Sequence, residues 1–304
     1  MWGSFPCQAL SLAGAGAGLA GARSGAFYAF WRLVGELAEA NRAPRIVAVE
    51  NVVGALTSNA SADFAAMLRT YLAHGYRPSV YVINADQFVP QSRPRLVVIG
   101  VRGAAPGGAP GAFHPKSLLR AVRALPDGLA DEIAWRDLPS PPRRNAGLAE
   151  VIERTPTGVD WHTPEATEHL LSLMAPKHRA KVAEAQASGR LQVGCLYRRT
   201  RRDAEGRKQQ RAEVRFDDIA GCLRTPGGGS SRQTLLIVEG DDVRSRLLSP
   251  RETARLMGLA DDYSLPDRYN DAYHLTGDGV VAPVVRHLAE HLFAPLLTAR
   301  GRKA

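Results

Sequence analysis

Three short runs rich in β-branched residues constrain this chain most: PRIVAVENV (44–52), SVYVINA (79–85) and RLVVIGV (95–101). They are apolar runs with little alternation, the pattern of a strand covered on both faces, and PRIVAVENV reads as a buried parallel strand. Two amphipathic helices accompany them. GAFYAFWRLVGELAEA (25–40) places Phe27, Phe30, Trp31, Val34, Leu37 and Ala38 on one stripe, and DFAAMLRTYLAHGY (63–76) is closed by Gly75. The order helix, strand, helix, strand, strand predicts part of an α/β domain with a hairpin at its edge, its last two strands joined by DQFVPQSRP (86–94).

The texture changes after residue 102. RGAAPGGAPGAFHP (102–115) is a glycine- and proline-rich boundary, and periodicity stays poor until about residue 245. Order returns at SPRETARLMGL (249–259), where Ser249 and Glu252 predict a capping box around Pro250. GVVAPVVRHLAEHLFAPLL (279–297) reads as a last helix. The expected division is 1–102 for the α/β domain, 103–245 for an inserted variable region and 246–304 for helices that return to the α/β domain.

Composition narrows the class. A chain of 304 residues with 45% hydrophobic and 23% charged residues is globular, one large domain or two moderate ones. No run of 18 or more apolar residues predicts a membrane span, and no basic leader precedes the small apolar residues 9–20. The three cysteines, Cys7, Cys195 and Cys222, lack CxxC pairing, which argues against disulfides and zinc and fits a reducing cytoplasm. The net charge of +9 is concentrated between Lys177 and Arg215, where twelve basic residues face four acidic ones. Nucleic acid is the natural partner for such a stretch, and a solvated loop is the alternative.

Three places can carry chemistry. Cys7, in GSFPCQ (3–8), stands at the end of a short apolar segment and opens a glycine-rich loop, as a thiolate nucleophile or as a buried structural cysteine. Glu50 and Asn51 end the strand beside it, able to protonate or hydrogen-bond a heterocycle, or to cap the following turn. In QSRPR (91–95), Arg93 and Arg95 alternate at a strand start and so share a face. With Gln91 they grip a phosphate or the carbonyl edge of a base, or else charge a sheet edge against aggregation.

Taken in order, GSFPCQ, ENV and QSRPR resemble the DNA cytosine-C5 methyltransferases. RLLSPRETARLMGL (246–259) is similar to the segment after that family's variable region, and YHLTGDGVVAPVVRHLA (273–289) to its last motif, with Gly277-Asp278-Gly279-Val280 where Gly-Asn-Ser-Val is usual. The similar segments cover about residues 2–101 and 244–296. The resemblance implies a partial class I S-adenosylmethionine-dependent methyltransferase sheet of Rossmann type with an inserted target recognition domain. The activity implied is transfer of a methyl group from S-adenosylmethionine to C5 of a cytosine flipped out of duplex DNA, as in bacterial modification systems.

The roles implied are specific. Cys7 adds to C6, Glu50 donates to N3 and the exocyclic amine, Arg95 holds O2, and Arg93 positions Cys7 and the base, with Gln8, Asn51 and Gln91 in support. Pro6, Asp278 and Gly279 form the remaining wall of the cofactor pocket, and Arg198, Arg199, Arg201, Arg202, Arg224 and Arg232 contact DNA. The glycine-rich loop 11–25 closes over the flipped base.

The family's domain opens with a strand, a glycine-rich turn and a helix for the cofactor, which the sequence before Trp2 does not contain. The expectation is a chain lacking roughly 70 to 90 residues of cofactor-binding motifs. A shortened gene or misplaced start, a split enzyme whose second polypeptide supplies the motifs, and a non-catalytic DNA-binding remnant are the three accounts. The tRNA-modifying branch of the family is a further alternative, disfavoured by the size of the variable region.

Overall fold

Strand β2 (Ile46–Val52) pairs in parallel with β1 (Trp2–Ser4), matching Ser4 to Glu50, but its other neighbour, β4 (Pro94–Arg102), runs antiparallel. β3 (Tyr76–Asn84) closes the sheet antiparallel to β4, in the order β1-β2-β4-β3. The expected hairpin is present, and the fully parallel setting read for PRIVAVENV is corrected to a mixed one. Burial alone drove that reading, and a central strand is buried whichever way its neighbours run.

The computed structural model describes residues 1–5, 25–144, 146–202, 205–225 and 232–298. These divide into two compact units, one of residues 1–84, 94–141 and 287–304 and the other of 85–93 and 142–286.

In the first unit, α1 (Gly25–Glu39) buries Phe27, Phe30, Trp31 and Val34, the stripe its spacing predicts. α2 (Ala62–Ala73) places Phe64, Leu68 and Tyr71 in the same core. The Tyr71 hydroxyl donates to the Val98 carbonyl at 2.8 Å, and its ring lies so close to β4 that a Cβ at Gly100 would meet it at 2.4 Å. Glycine there is a packing requirement. α3 (Lys116–Arg123) and Ile133 complete the core, so residues 103–141 pack within this unit. Glycine and proline hid that membership, because the core contacts there are too few and irregular to leave a period.

The second unit holds what periodicity missed. A four-stranded antiparallel sheet, β6-β5-β7-β8, is made of β5 (Gln192–Arg202), β6 (Lys208–Arg215), β7 (Thr234–Glu239) and β8 (Asp242–Leu247). Helices α4 (Leu148–Val151), α5 (Pro164–Ser172) and α6 (Pro176–Ala187) precede it. β7 is buried at five of its six positions, so it shows no alternation. α7 (Pro250–Leu256) carries the expected capping box between Ser249 and Glu252. The same carboxylate receives both terminal nitrogens of Arg246, at 2.7 and 2.6 Å, and the Glu153 amide at 2.6 Å, with Arg246 and Glu252 both fully buried. α8 (Tyr269–Asp278) follows, within this unit rather than the first.

The stretch Tyr269–Thr298 is long and apolar enough to cross a bilayer by composition. It is broken at Gly279 and by a π-helical turn at Ala289–Phe293, and it buries Tyr273, Thr276, Leu288 and Leu292 inside the protein.

Candidate active site

In the first unit the site is built on neighbouring strand ends. Glu50, 8% exposed, projects from the end of β2. Ser4, its register partner on β1, donates its hydroxyl to Glu50 Oε2. On the other side Arg95, opposite Val52 on β4, reaches diagonally so that its Nε lies 2.7 Å from Glu50 Oε1. Glu50 thus has one oxygen on a neutral donor and one on a cation, its orientation fixed from both sides.

Asn51 is turned inward, and its Oδ1 accepts the Val52 amide at 2.8 Å, so its local partner is the backbone. Cys7, Pro6 and Gln8 lie outside the described residues, as does most of the loop 11–25. Ser4 is the residue that sequence reasoning missed; only the β1–β2 register reveals it.

Arg93 has a set of backbone partners of its own. It precedes β4, so strand alternation does not reach it, and it belongs to the second unit while Arg95 belongs to the first. Only 4% exposed, its guanidinium donates to the carbonyls of Leu223 at 2.9 Å and of Gly277 and Gly279 at 2.8 Å each, and lies 3.5 Å from Cys222 Sγ. Gln91, fully buried, donates to the Leu256 carbonyl at 2.7 Å and accepts the Leu223 amide at 3.2 Å. Pro90 and Ser92 exchange backbone hydrogen bonds with Ala220, both at 2.8 Å. Residues 90–93 therefore splice the segment 220–223 to the turn 277–279. Through these bonds Arg93 clamps three backbone carbonyls.

Gly277 lies so close to that segment that a Cβ there would stand 2.9 Å from Arg224 C and Thr225 N. Asp278 accepts the Thr225 hydroxyl. Of the positions expected to line the cofactor pocket, the Asp278 carboxylate thus holds Thr225 and the Gly279 carbonyl holds Arg93.

The basic residues fall in three settings. Arg198, Arg199, Arg201 and Arg202 lie exposed on β5, Arg224 is exposed beside Leu223, and Arg232 donates to Asn270 Oδ1 at 2.5 Å with its cation 5.9 Å from the Tyr269 ring. Cys195 is buried in the core of this unit, and burial pushes its thiol up to about 12, which makes it inert. Among the described residues no His, Cys, Asp and Glu cluster suits a metal ion.

The mixed sheet flanked by helices is of a fold shared with methyltransferases of known structure. Entamoeba histolytica methyltransferase EhMeth has a similar fold, with a TM-score of 0.55 at 13% identity, the alignment covering 97% of this chain and 77% of that one. The chain belongs to the C-5 cytosine-specific DNA methylase family, whose profile matches residues 1–294. It is 24% identical over 296 residues to the type II methyltransferase M.BsuFI of Bacillus subtilis, covering 97% of this chain and 58% of the relative. It is 23% identical over 295 residues to M1.ScrFI of Lactococcus lactis subsp. cremoris, covering 97% and 62%. The chain thus spans about three fifths of the length of these two relatives.

Proposed function

We propose that the chain activates cytosine in duplex DNA for methylation at C5, as the cytosine-handling part of a DNA cytosine-5 methyltransferase of a restriction-modification system. The observation that carries this reading is the Glu50 carboxyl held between Ser4 and Arg95 at the strand ends, beside the strand that leads to Cys7.

The flipped base lies with N3 and its amine at Glu50 and O2 at Arg95. The Cys7 thiolate adds to C6, and its electron pair displaces the C5=C6 π electrons. Negative charge develops over C5, N3 and O2, and Glu50, which takes up a proton from solvent when the base binds, passes it to N3 as that charge grows, so that C5 becomes an enamine carbon. Arg95 stabilises the O2 end and orients Glu50. Addition of an electrophile at C5, loss of the C5 proton to water and departure of the Cys7 sulfur as thiolate restore the C5=C6 bond, and N3 returns its proton to Glu50. S-adenosylmethionine is the methyl donor that the family resemblance implies; the residues named here act on the base. Arg93 and Gln91 serve as positioning residues within the second unit, and Arg198, Arg199, Arg201, Arg202, Arg224 and Arg232 supply positive charge for the DNA backbone. A separate polypeptide carrying cofactor-binding motifs is a partner consistent with this division of labour.

Transfer of labelled methyl groups to duplex DNA and to tRNA, with and without a polypeptide that supplies the cofactor motifs, tests the reading. Labelled 5-methylcytosine in duplex DNA, lost in Cys7→Ala, supports it; labelling confined to tRNA overturns it.

A further inference from the structure

The first residues of β5 are covered by a third strand, whereas its outer half is not. β7 pairs with Gln192–Leu196 alone, while β5 and β6 continue as a two-strand ribbon from Tyr197 to Arg202 and from Lys208 to Glu213. At about 3.3 Å per residue the ribbon is ~20 Å long. A two-stranded ribbon is one of the shapes that the major groove of B-form DNA admits.

The pairing register separates its basic residues into two faces. Arg198, Thr200 and Arg202 stand opposite Ala212, Gln210 and Lys208 on one face, and Tyr197, Arg199 and Arg201 stand opposite Glu213, Arg211 and Gln209 on the other. At its root the first face is closed: Ala212 is fully buried, its amide bonds the Leu173 carbonyl, and it packs with Met174 and Val182. The second face is likewise closed at its root, where Tyr197 packs against the core around Cys195 and Leu235; beyond the root the basic residues of both faces are exposed among the described residues, and it is the second face that is organised. Glu213 takes Arg201 at 2.8 Å through one oxygen and Arg199 at 3.1 Å through the other. The Arg199 cation also lies 5.6 Å from the Tyr197 ring centre. Tyr197 in turn abuts Gly221, where a Cβ would meet its hydroxyl at 2.6 Å, so this face runs on into the segment bearing Leu223 and Arg224. Burial pulls the Glu213 carboxyl upward, but the hydrogen bond and charge of Arg201 and the charges of Arg199 and His178 hold it below its usual range.

We infer that duplex DNA is engaged by the Tyr197–Arg199–Arg201–Arg211 face of the ribbon, and that Glu213 is a positioning residue holding two of its arginines extended toward the groove. This refines the DNA-binding part of the proposed function, which left the four arginines of β5 equivalent. Two planar guanidiniums fixed side by side suit phosphates or the O6/N7 edge of guanine.

The test compares two triple variants that remove equal charge, R199A/R201A/R211A and R198A/R202A/K208A. Binding of the full chain to a fluorescently labelled DNA duplex is followed by anisotropy between about 50 and 200 mM salt. The first variant is expected to flatten the slope of log K against log salt by about 2 to 3, close to 0.9 for each phosphate no longer neutralised, and the second by less than about 1. E213Q is expected to weaken binding several-fold although it removes a negative charge; charge counting alone predicts a gain. Equal losses from the two triple variants, or tighter binding by E213Q, overturn the inference while leaving methyl transfer untouched. A wild-type chain that binds no duplex at low salt contradicts the functional reading as well.

Discussion

Glu50 and Arg95 stand two residues out of register on adjacent antiparallel strands, and that diagonal offset brings Arg95 Nε to 2.7 Å from Glu50 Oε1. Arg95 uses only part of its fork on Glu50, with Nη1 on the neighbouring Pro94 carbonyl at 3.0 Å. Substituting the acid separates chemistry from folding. Glu50→Gln keeps the shape and the Ser4 contact but removes the transferable proton, so turnover on duplex DNA should fall by about 10² to 10⁴. The melting temperature should change little. Turnover close to wild type in Glu50→Gln would remove this residue from the mechanism.

Arg93, two residues away in sequence, should behave in the opposite way. Arg93→Met leaves the Leu223, Gly277 and Gly279 carbonyls without their buried charged donor, and urea unfolding should show a loss of about 3 kcal/mol or more. Arg93→Lys, which retains charge but not the fork, should recover only part of that stability. An unchanged unfolding midpoint together with lost turnover would return Arg93 to direct contact with the base.

A pH response should come from His114 in the first unit. Its Nδ1 accepts the Gly111 amide at 2.7 Å, and its ring packs on Tyr81 and Trp135. Burial is the main cause that lowers its pKa below the ordinary histidine value, outweighing opposite effects of Gly111, Asp137 and Val80. The folded state therefore binds this proton more weakly than the unfolded chain. The stabilisation is complete above the unfolded pKa of about 6.5 and declines as pH falls below it. Thermal melting from neutral pH to about 5 should be less pH-dependent in His114→Asn than in the wild type. Identical pH slopes would show that the ring titrates freely.

The positions of Glu50 and Arg95 were legible because both sit at strand ends. Glu50 and Arg95 each close or open a β-branched run, and the run fixes where the side chain emerges. The backbone partners of Arg93 were not legible because it precedes the strand, across Pro94, where alternation no longer places a side chain, in a segment that packs with a different unit. Ser4 and Glu213 were invisible for another reason: both are ordinary polar residues until a partner strand is brought into register. The second sheet was hidden by its own burial, since β7 presents apolar residues to both sides and the exposed half of β5 presents arginine to both.

The central claim, that this chain's own residues activate cytosine by addition at C6, is tested most directly by exchange of the C5 hydrogen. The enamine carbon formed by addition of Cys7 can take a proton from water, and elimination then returns cytosine with its original C5 hydrogen exchanged, so no methyl group need be transferred. Duplex DNA tritiated at cytosine C5 is incubated with the 304-residue chain, and tritium released to water is counted. The account predicts release by the wild-type chain, strongly reduced in Glu50→Gln and abolished in Cys7→Ala, with duplex binding retained by both variants. Release that persists in Cys7→Ala, or a wild-type chain that binds duplex DNA and releases none, would contradict it.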